Sequence, residues 1–135
     1  MPSLTRSEAA TRAALIAVDA MEVDLDLDRG PQLFGSRTTI RFTCREPGAA
    51  TFVDLRAREV HSLSLNGTGL DPASVVDGRL TLADLAAENV LEVDADMRYS
   101  NSGEGLHRFV DPVDGEVYLY SQFEVPDARR VFAVF

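Results

Sequence analysis

Two stretches of strict two-residue alternation constrain this chain more than anything else in it. Met21, Val23, Leu25 and Leu27 alternate with Glu22, Asp24, Asp26 and Asp28, and Leu91, Val93, Ala95 and Met97 alternate with Glu92, Asp94, Asp96 and Arg98. Successive strand side chains point to opposite faces, so each pattern is a strand with one apolar and one wet face. Ile40, Phe42 and Cys44 alternate with Arg41 and Thr43 in the same way. Thr51 to Leu55, Val60 to Leu65, Leu80 to Leu82 and Val117 to Phe123 read as shorter strands. Gly30-Pro31, Pro47-Gly48 and Asn66-Gly67 separate them, the last being the dipeptide of a tight hairpin turn. About seven short strands, with turn signals roughly every 8–12 residues, predict an all-β domain of mostly antiparallel, sandwich-like sheet. One short helix precedes them. Thr5 and Glu8 have capping-box spacing, and Ala9, Ala10, Ala13, Ala14 and Leu15 favour a helix behind it. Pro126 and Asp127 suit the start of a second.

Length and charge narrow the function. With 135 residues the chain has room for one domain that buries about two-thirds of its surface, enough for a core without staples. Its 22 acidic and 13 basic residues leave a net charge of −9. That balance argues against nucleic acid, whose binding needs a basic face, and against an anionic membrane surface. Every basic residue is arginine. The single Cys44 has no disulfide partner, which suits a reducing cytoplasm. The apolar run from Ala13 to Val18 is too short to span a membrane.

Searches for chemistry mostly return ordinary structure. The two histidines, His61 and His107, are too far apart for a His-x-x-x-His zinc helix, so no metal site is expected. Asp24, Asp26 and Asp28 mimic the opening of a calcium loop. Arg29 and Gly35 then stand where that loop needs Gly and Glu, and strand alternation explains the same aspartates. Gly103-Glu104-Gly105 precedes a strand rather than a helix and reads as a turn. The segment from Tyr99 onward is different, being dense in polar side chains. Gln122 and Glu124 lie two apart at a strand end, on the face predicted to carry Tyr118 and Tyr120. A carboxylate and an amide aimed together there would clamp a cationic amine.

The stretch from Asn101 through Gly103-Glu-Gly-Leu-His-Arg-Phe109 to Gln122-Phe-Glu124, followed by Asp127-Ala-Arg-Arg-Val-Phe132, resembles the N-terminal domain of the zinc aminopeptidase N family of gluzincin metallopeptidases. Leu4-Thr5-Arg6, Val23 to Leu27, Thr51 to Leu55 and Leu65-Asn-Gly67 match in order, so the likeness covers essentially the whole chain. The resemblance implies a β domain packed on a thermolysin-like catalytic domain, to whose active site it contributes one loop. By motif position, Glu124 would grip the free α-amine of a peptide, Gln122 would line the first specificity pocket, and Arg129 would orient the loop. The family often has Pro directly after that Glu; here Val125 intervenes before Pro126.

The expectation is therefore a single, truncated N-terminal β domain, residues 1–135, of a cytoplasmic zinc aminopeptidase. The sequence holds neither Gly-Ala-Met-Glu-Asn nor His-Glu-x-x-His. The chain alone is expected to be inactive, with zinc and hydrolysis belonging to the parent enzyme. The alternative is a stand-alone, non-catalytic β binding or scaffold module. The apolar end, Val131 to Phe135, suggests an incomplete domain, with self-association through an open sheet edge.

Overall fold

The computed structural model describes residues 3–124 and 126–135. Both alternating stretches lie in one antiparallel five-stranded sheet. Its members are β1 (Ile16–Asp26), β2 (Leu33–Cys44), β4 (Glu59–Leu65), β5 (Thr68–Leu70) and β8 (Glu88–Arg98), in the order β1-β2-β8-β4-β5. A second sheet, in the order β3-β7-β6, is formed by β3 (Thr51–Asp54), β6 (Val75–Val76) and β7 (Arg79–Leu82). β9 (Gly105–Val110) and β10 (Val117–Gln122) pair as a separate ribbon. The helix α1 (Arg6–Leu15) comes first, and a single turn of 3-10 helix spans Asp127–Arg130.

The all-β expectation holds, with three more strands than the alternation reveals. β5 and β6 are three and two residues long, too short to show a period. Each is one arm of a two-residue hairpin whose turn residues both have positive φ: Asn66 and Gly67 for β4-β5, Asp77 and Gly78 for β6-β7. Asp-Gly is as strong a hairpin signal as Asn-Gly. β9 is the strand announced by the Gly103–Gly105 turn.

Register explains which alternating face is dry. In β2, Phe34, Ser36, Thr38, Ile40, Phe42 and Cys44 are buried. Their β8 partners Met97, Ala95, Val93, Leu91 and Asn89 are buried on the same side. Val53, Leu80 and Leu82 of the second sheet close the same core, with Leu55 and Leu85. The C-terminal segment completes it. Val131 and Ala133 are buried, Val134 bridges to Asp54, and the Phe135 ring meets Phe42 edge-on at 4.9 Å. Ser36 Oγ donates to the Val131 carbonyl at 2.6 Å, and Thr38 Oγ1 accepts from Ala133 N–H at 3.3 Å. The apolar end of the sequence is thus core rather than a loose tail. The helix expected after Pro126 is reduced to one 3-10 turn.

β1 departs from expectation. A bulge between Val18 and Ala20 resets its register, and Val18, Met21 and Val23 pair with buried Phe42, Ile40 and Thr38. Even so, these three side chains are 50%, 37% and 39% exposed. The strand is the outer edge of its sheet, and the second layer does not cover it. The accessible surface is 7,869 Å², against about 6,900 Å² expected for a compact chain of this mass. The overhang of β1 and the free β9-β10 ribbon contribute to the excess.

The helix docks by charge rather than by an apolar stripe. Its capping box is formed, with Thr5 and Glu8 exchanging both bonds, yet Arg12 is its only buried residue. The Arg12 guanidinium donates to the Phe52 carbonyl at 3.1 Å, pairs with Asp54 at 3.4 Å and lies 4.5 Å from the Phe52 ring centre. Arg79 sits against the same ring at 4.4 Å and binds Glu8 at 2.8 Å.

Two consequences can be measured. Leu91 is fully buried on the central strand β8. Leu91→Ala is expected to lower stability by about 2–5 kcal/mol, read as a lower denaturant midpoint at unchanged slope. Hydrogen bonds from Arg79 and from the Thr5 backbone hold the Glu8 carboxyl at about 2 instead of 4.5. The unfolded chain therefore takes up this proton at higher pH than the folded one. The stabilisation is complete above about pH 4.5 and is lost as pH falls towards 2. The melting temperature should fall over that window, and fall less steeply in Glu8→Gln.

Candidate functional site

The site residues singled out in the sequence gather on β10 and the turn behind it. β10 pairs with β9 in the register Tyr118–Phe109, Tyr120–His107 and Gln122–Gly105. Tyr118, Tyr120 and Gln122 therefore share one face, as alternation requires. The Tyr120 ring stacks on His107 with centroids 4.7 Å apart, and His107 Nδ1 accepts from Gly103 N–H at 2.9 Å. That bond assigns the His107 proton to Nε2 in the neutral ring. At the far end of the ribbon the Tyr118 hydroxyl donates to Asp114 at 2.5 Å, which depresses the carboxyl's pKa and raises the phenol's.

Glu124 lies two residues beyond the end of β10, so the period-two argument that joins it to Gln122 stops at Gln122. The backbone turns here: Asp127 N–H donates to the Glu124 carbonyl at 2.6 Å. Val125, the departure from the family motif, lies outside the described residues. Glu124, an exposed residue, lines a half-open cleft of about 340 Å³, with Phe123, Phe135, Arg12, Asp54 and Arg129 among its walls. Gln122 does not line this cleft; it remains exposed on the ribbon. Among the described residues no hydrogen bond or ion pair engages the Glu124 carboxylate. Its carboxylate is therefore open to solvent and to a ligand entering the cleft.

The turn carrying Arg129 is fixed from several directions. Arg129 is buried, and its carbonyl accepts from Arg56 N–H at 2.8 Å. Next to it, Arg130 binds Glu104 at 2.9 Å and approaches Asp127 at 3.6 Å. Phe123 meets Phe132 edge-on at 5.7 Å. These contacts bracket Glu124 on both sides. Sequence reasoning missed Arg12 and Asp54 as cleft walls, because they come from α1 and β3, remote in the chain. The one local hint was Arg12 standing four residues after Glu8, which puts two charges on one helix face.

No three His, Cys, Asp or Glu side chains converge to hold a metal ion among the described residues. Of the calcium-like aspartates, Asp26 is engaged by an arginine. Arg29 binds Asp26 and Asp96, both at 2.8 Å, with its guanidinium laid over Gly35, where a Cβ would stand 2.7 Å from Cζ. His61 contacts the same Asp96 at 3.0 Å.

The fold is shared with parts of two solved structures. One is leukotriene A4 hydrolase from Saccharomyces cerevisiae, at TM-score 0.71 and 16% identity over 91% of this chain and 21% of that one. The other is Legionella pneumophila aminopeptidase A in complex with aspartic acid, at TM-score 0.69 and 16% identity over 88% and 14%. At such identity the likeness concerns architecture. No family model matches the chain. The sequence itself goes further, being 54% identical over 137 residues to aminopeptidase N of Streptomyces lividans, across 98% of this chain. The chain belongs to the aminopeptidase N family, and it spans about a sixth (16%) of that relative's length.

Gly105 tests how the turn is held. Its φ is +67°, and an added Cβ would lie 3.0 Å from Arg130 Cβ. Gly105→Ala is expected to lower stability by about 1–3 kcal/mol, seen as a lower melting temperature. Faster amide exchange should accompany it at Val131 and Phe132, whose N–H groups bond the Ala128 carbonyl.

Proposed function

We propose that the chain is the N-terminal, substrate-anchoring domain of a zinc aminopeptidase, acting with a catalytic domain outside this sequence. In this reading Glu124 accepts the α-ammonium of a peptide's first residue. Gln122, exposed on the ribbon outside the Glu124 cleft, would border a side-chain pocket completed by the catalytic domain, and Arg129 is a positioning residue for the turn. The observation that supports the proposal is that exposed Glu124 lines a cleft next to a braced turn and has no partner among the described residues. The 54% identity to an aminopeptidase N supports it.

The chemistry suits an enzyme that measures from a chain end. A fixed carboxylate facing an ammonium makes a charge-assisted hydrogen bond, about twice as strong as a neutral one. A blocked amino terminus would forfeit the bond and leave the carboxylate desolvated and unpaired. Glu124 thus binds and aligns; it transfers no proton. The described residues of this chain do not fit a zinc site, so the metal would be held by the catalytic domain. One buried cysteine, Cys44, accords with a reducing compartment, and we place the protein in the cytoplasm as part of the same reading.

The test is Glu124→Gln in the polypeptide that carries both domains, assayed on an aminoacyl arylamide and on its N-acetylated form. Loss of one charge-assisted bond should lower kcat/KM about 10- to 100-fold for the free amine, and discrimination against the acetylated substrate should shrink. Unchanged kcat/KM in a folded variant rules the anchoring role out. The 135-residue chain alone should turn over neither substrate; turnover by it would remove the division of labour.

A further inference from the structure

The Asp127–Arg130 turn borders two clefts. Arg129 lines the one containing Glu124. Arg130 lines the other, of about 360 Å³, together with Arg56, Arg58 and Arg98. In a chain of net charge −9, this second cleft gathers four of the thirteen arginines around one carboxylate, Glu104.

Arg130 is neutralised by Glu104 and Asp127. The guanidiniums of Arg56, Arg58 and Arg98 form no ion pair with any described residue. Acids are in excess, and Arg12, Arg29, Arg37 and Arg79 each find a carboxylate; Arg6, Arg41, Arg45 and Arg108 form no ion pair with a described residue either, but none of them lines this cleft. Arg56, Arg58 and Arg98 are exposed and line one cleft without an ion-pair partner, and an anion entering among them would relieve their mutual repulsion. The backbones that carry them are fixed separately. Arg56 N–H is bonded to the Arg129 carbonyl, Arg58 N–H to the Asp96 carbonyl, both at 2.8 Å, and Tyr99 N–H, beside Arg98, to the Gln32 carbonyl at 3.0 Å. The fold therefore sets the points from which the three side chains reach the cleft, while the exposed side chains themselves order on binding. Guanidinium forks match the paired oxygens of phosphate and carboxylate, and Asn101 and Ser102 add polar groups at the rim.

We propose that this cleft binds a small oxyanion with two or more negative charges, a phosphate group or a polycarboxylate. The assignment is independent of the role given to Glu124.

Calorimetric titration of the full chain with inorganic phosphate, and separately with citrate, at fixed ionic strength in chloride, tests it. Saturable one-to-one binding is expected, weakened at least about tenfold by Arg56→Gln or Arg98→Gln. Arg41→Gln, outside the cleft on β2, should leave affinity unchanged. Melting curves without ligand verify that each variant is folded, and if one is not, the other carries the test. Binding of phosphate alone assigns a phosphorylated ligand; binding of citrate alone assigns a polycarboxylate. The absence of saturable binding to either anion overturns the proposal, as does equal affinity in both folded variants.

Discussion

Asp54 is the residue through which the separate parts of this domain are tied together. Its backbone N–H donates to the Val134 carbonyl at 2.8 Å, and its carbonyl accepts from Val134 N–H at 3.0 Å, so the C-terminal segment is stitched to β3 there. Its carboxylate meets Arg12 of α1 at 3.4 Å and Arg79 of β7 at 3.6 Å. Arg79 continues to Glu8, giving two guanidiniums and two carboxylates in one cluster against the Phe52 ring. Arg12 and Asp54 are nine-tenths removed from solvent, where removing one member of a pair costs about 3–5 kcal/mol. The same two residues line the cleft beside Glu124. The network that docks the helix is also a wall of the candidate site.

Charge is distributed by layer. The outer face of the five-stranded sheet carries Glu22, Asp24, Glu92, Asp94 and Asp96, relieved by Arg37 and Arg29. Three arginines without such relief, Arg56, Arg58 and Arg98, lie where the end of β8 meets the segment after β3. The Asp127–Arg130 turn stands between this basic cleft and the acidic group at Glu124. Consecutive side chains of one short turn face two different chemical environments.

Strand periodicity was legible wherever a strand is long and half-buried, as in β2 and β8. The capping box and the Asn66-Gly67 hairpin were legible because each is local chemistry. Burial was less so. The alternation of β1 marks a strand and an apolar face, but whether a second layer covers that face is decided by strands distant in sequence. Short strands such as β6 exist because β7 offers an edge, not because of their own residues. For the site, alternation reached Gln122 and no further. The position of Glu124 depends on a turn held by Arg56, Glu104 and Phe132, and its family motif, rather than any period, singled it out. The arginine cleft was invisible, since its four members stand between residues 56 and 130 and only the fold assembles them.

The junction between α1 and β1 has no linker: the helix ends at Leu15, and Ile16, its C-cap, is already the first strand residue. Arg12 and Ile16 are both buried, one anchoring the helix to the second sheet and the other starting the first. The two anchors are four residues apart, and no slack separates them. Gaining or losing one residue there would turn the inward side of β1 outward, or pull Arg12 from its carboxylate. The bulge between Val18 and Ala20 is where the strand already carries an unmatched residue. Length variation in the first third of this domain should therefore concentrate at that bulge and in the Leu27–Gln32 loop, and spare the helix–strand joint, whose residue count acts as a fixed gauge between the two layers.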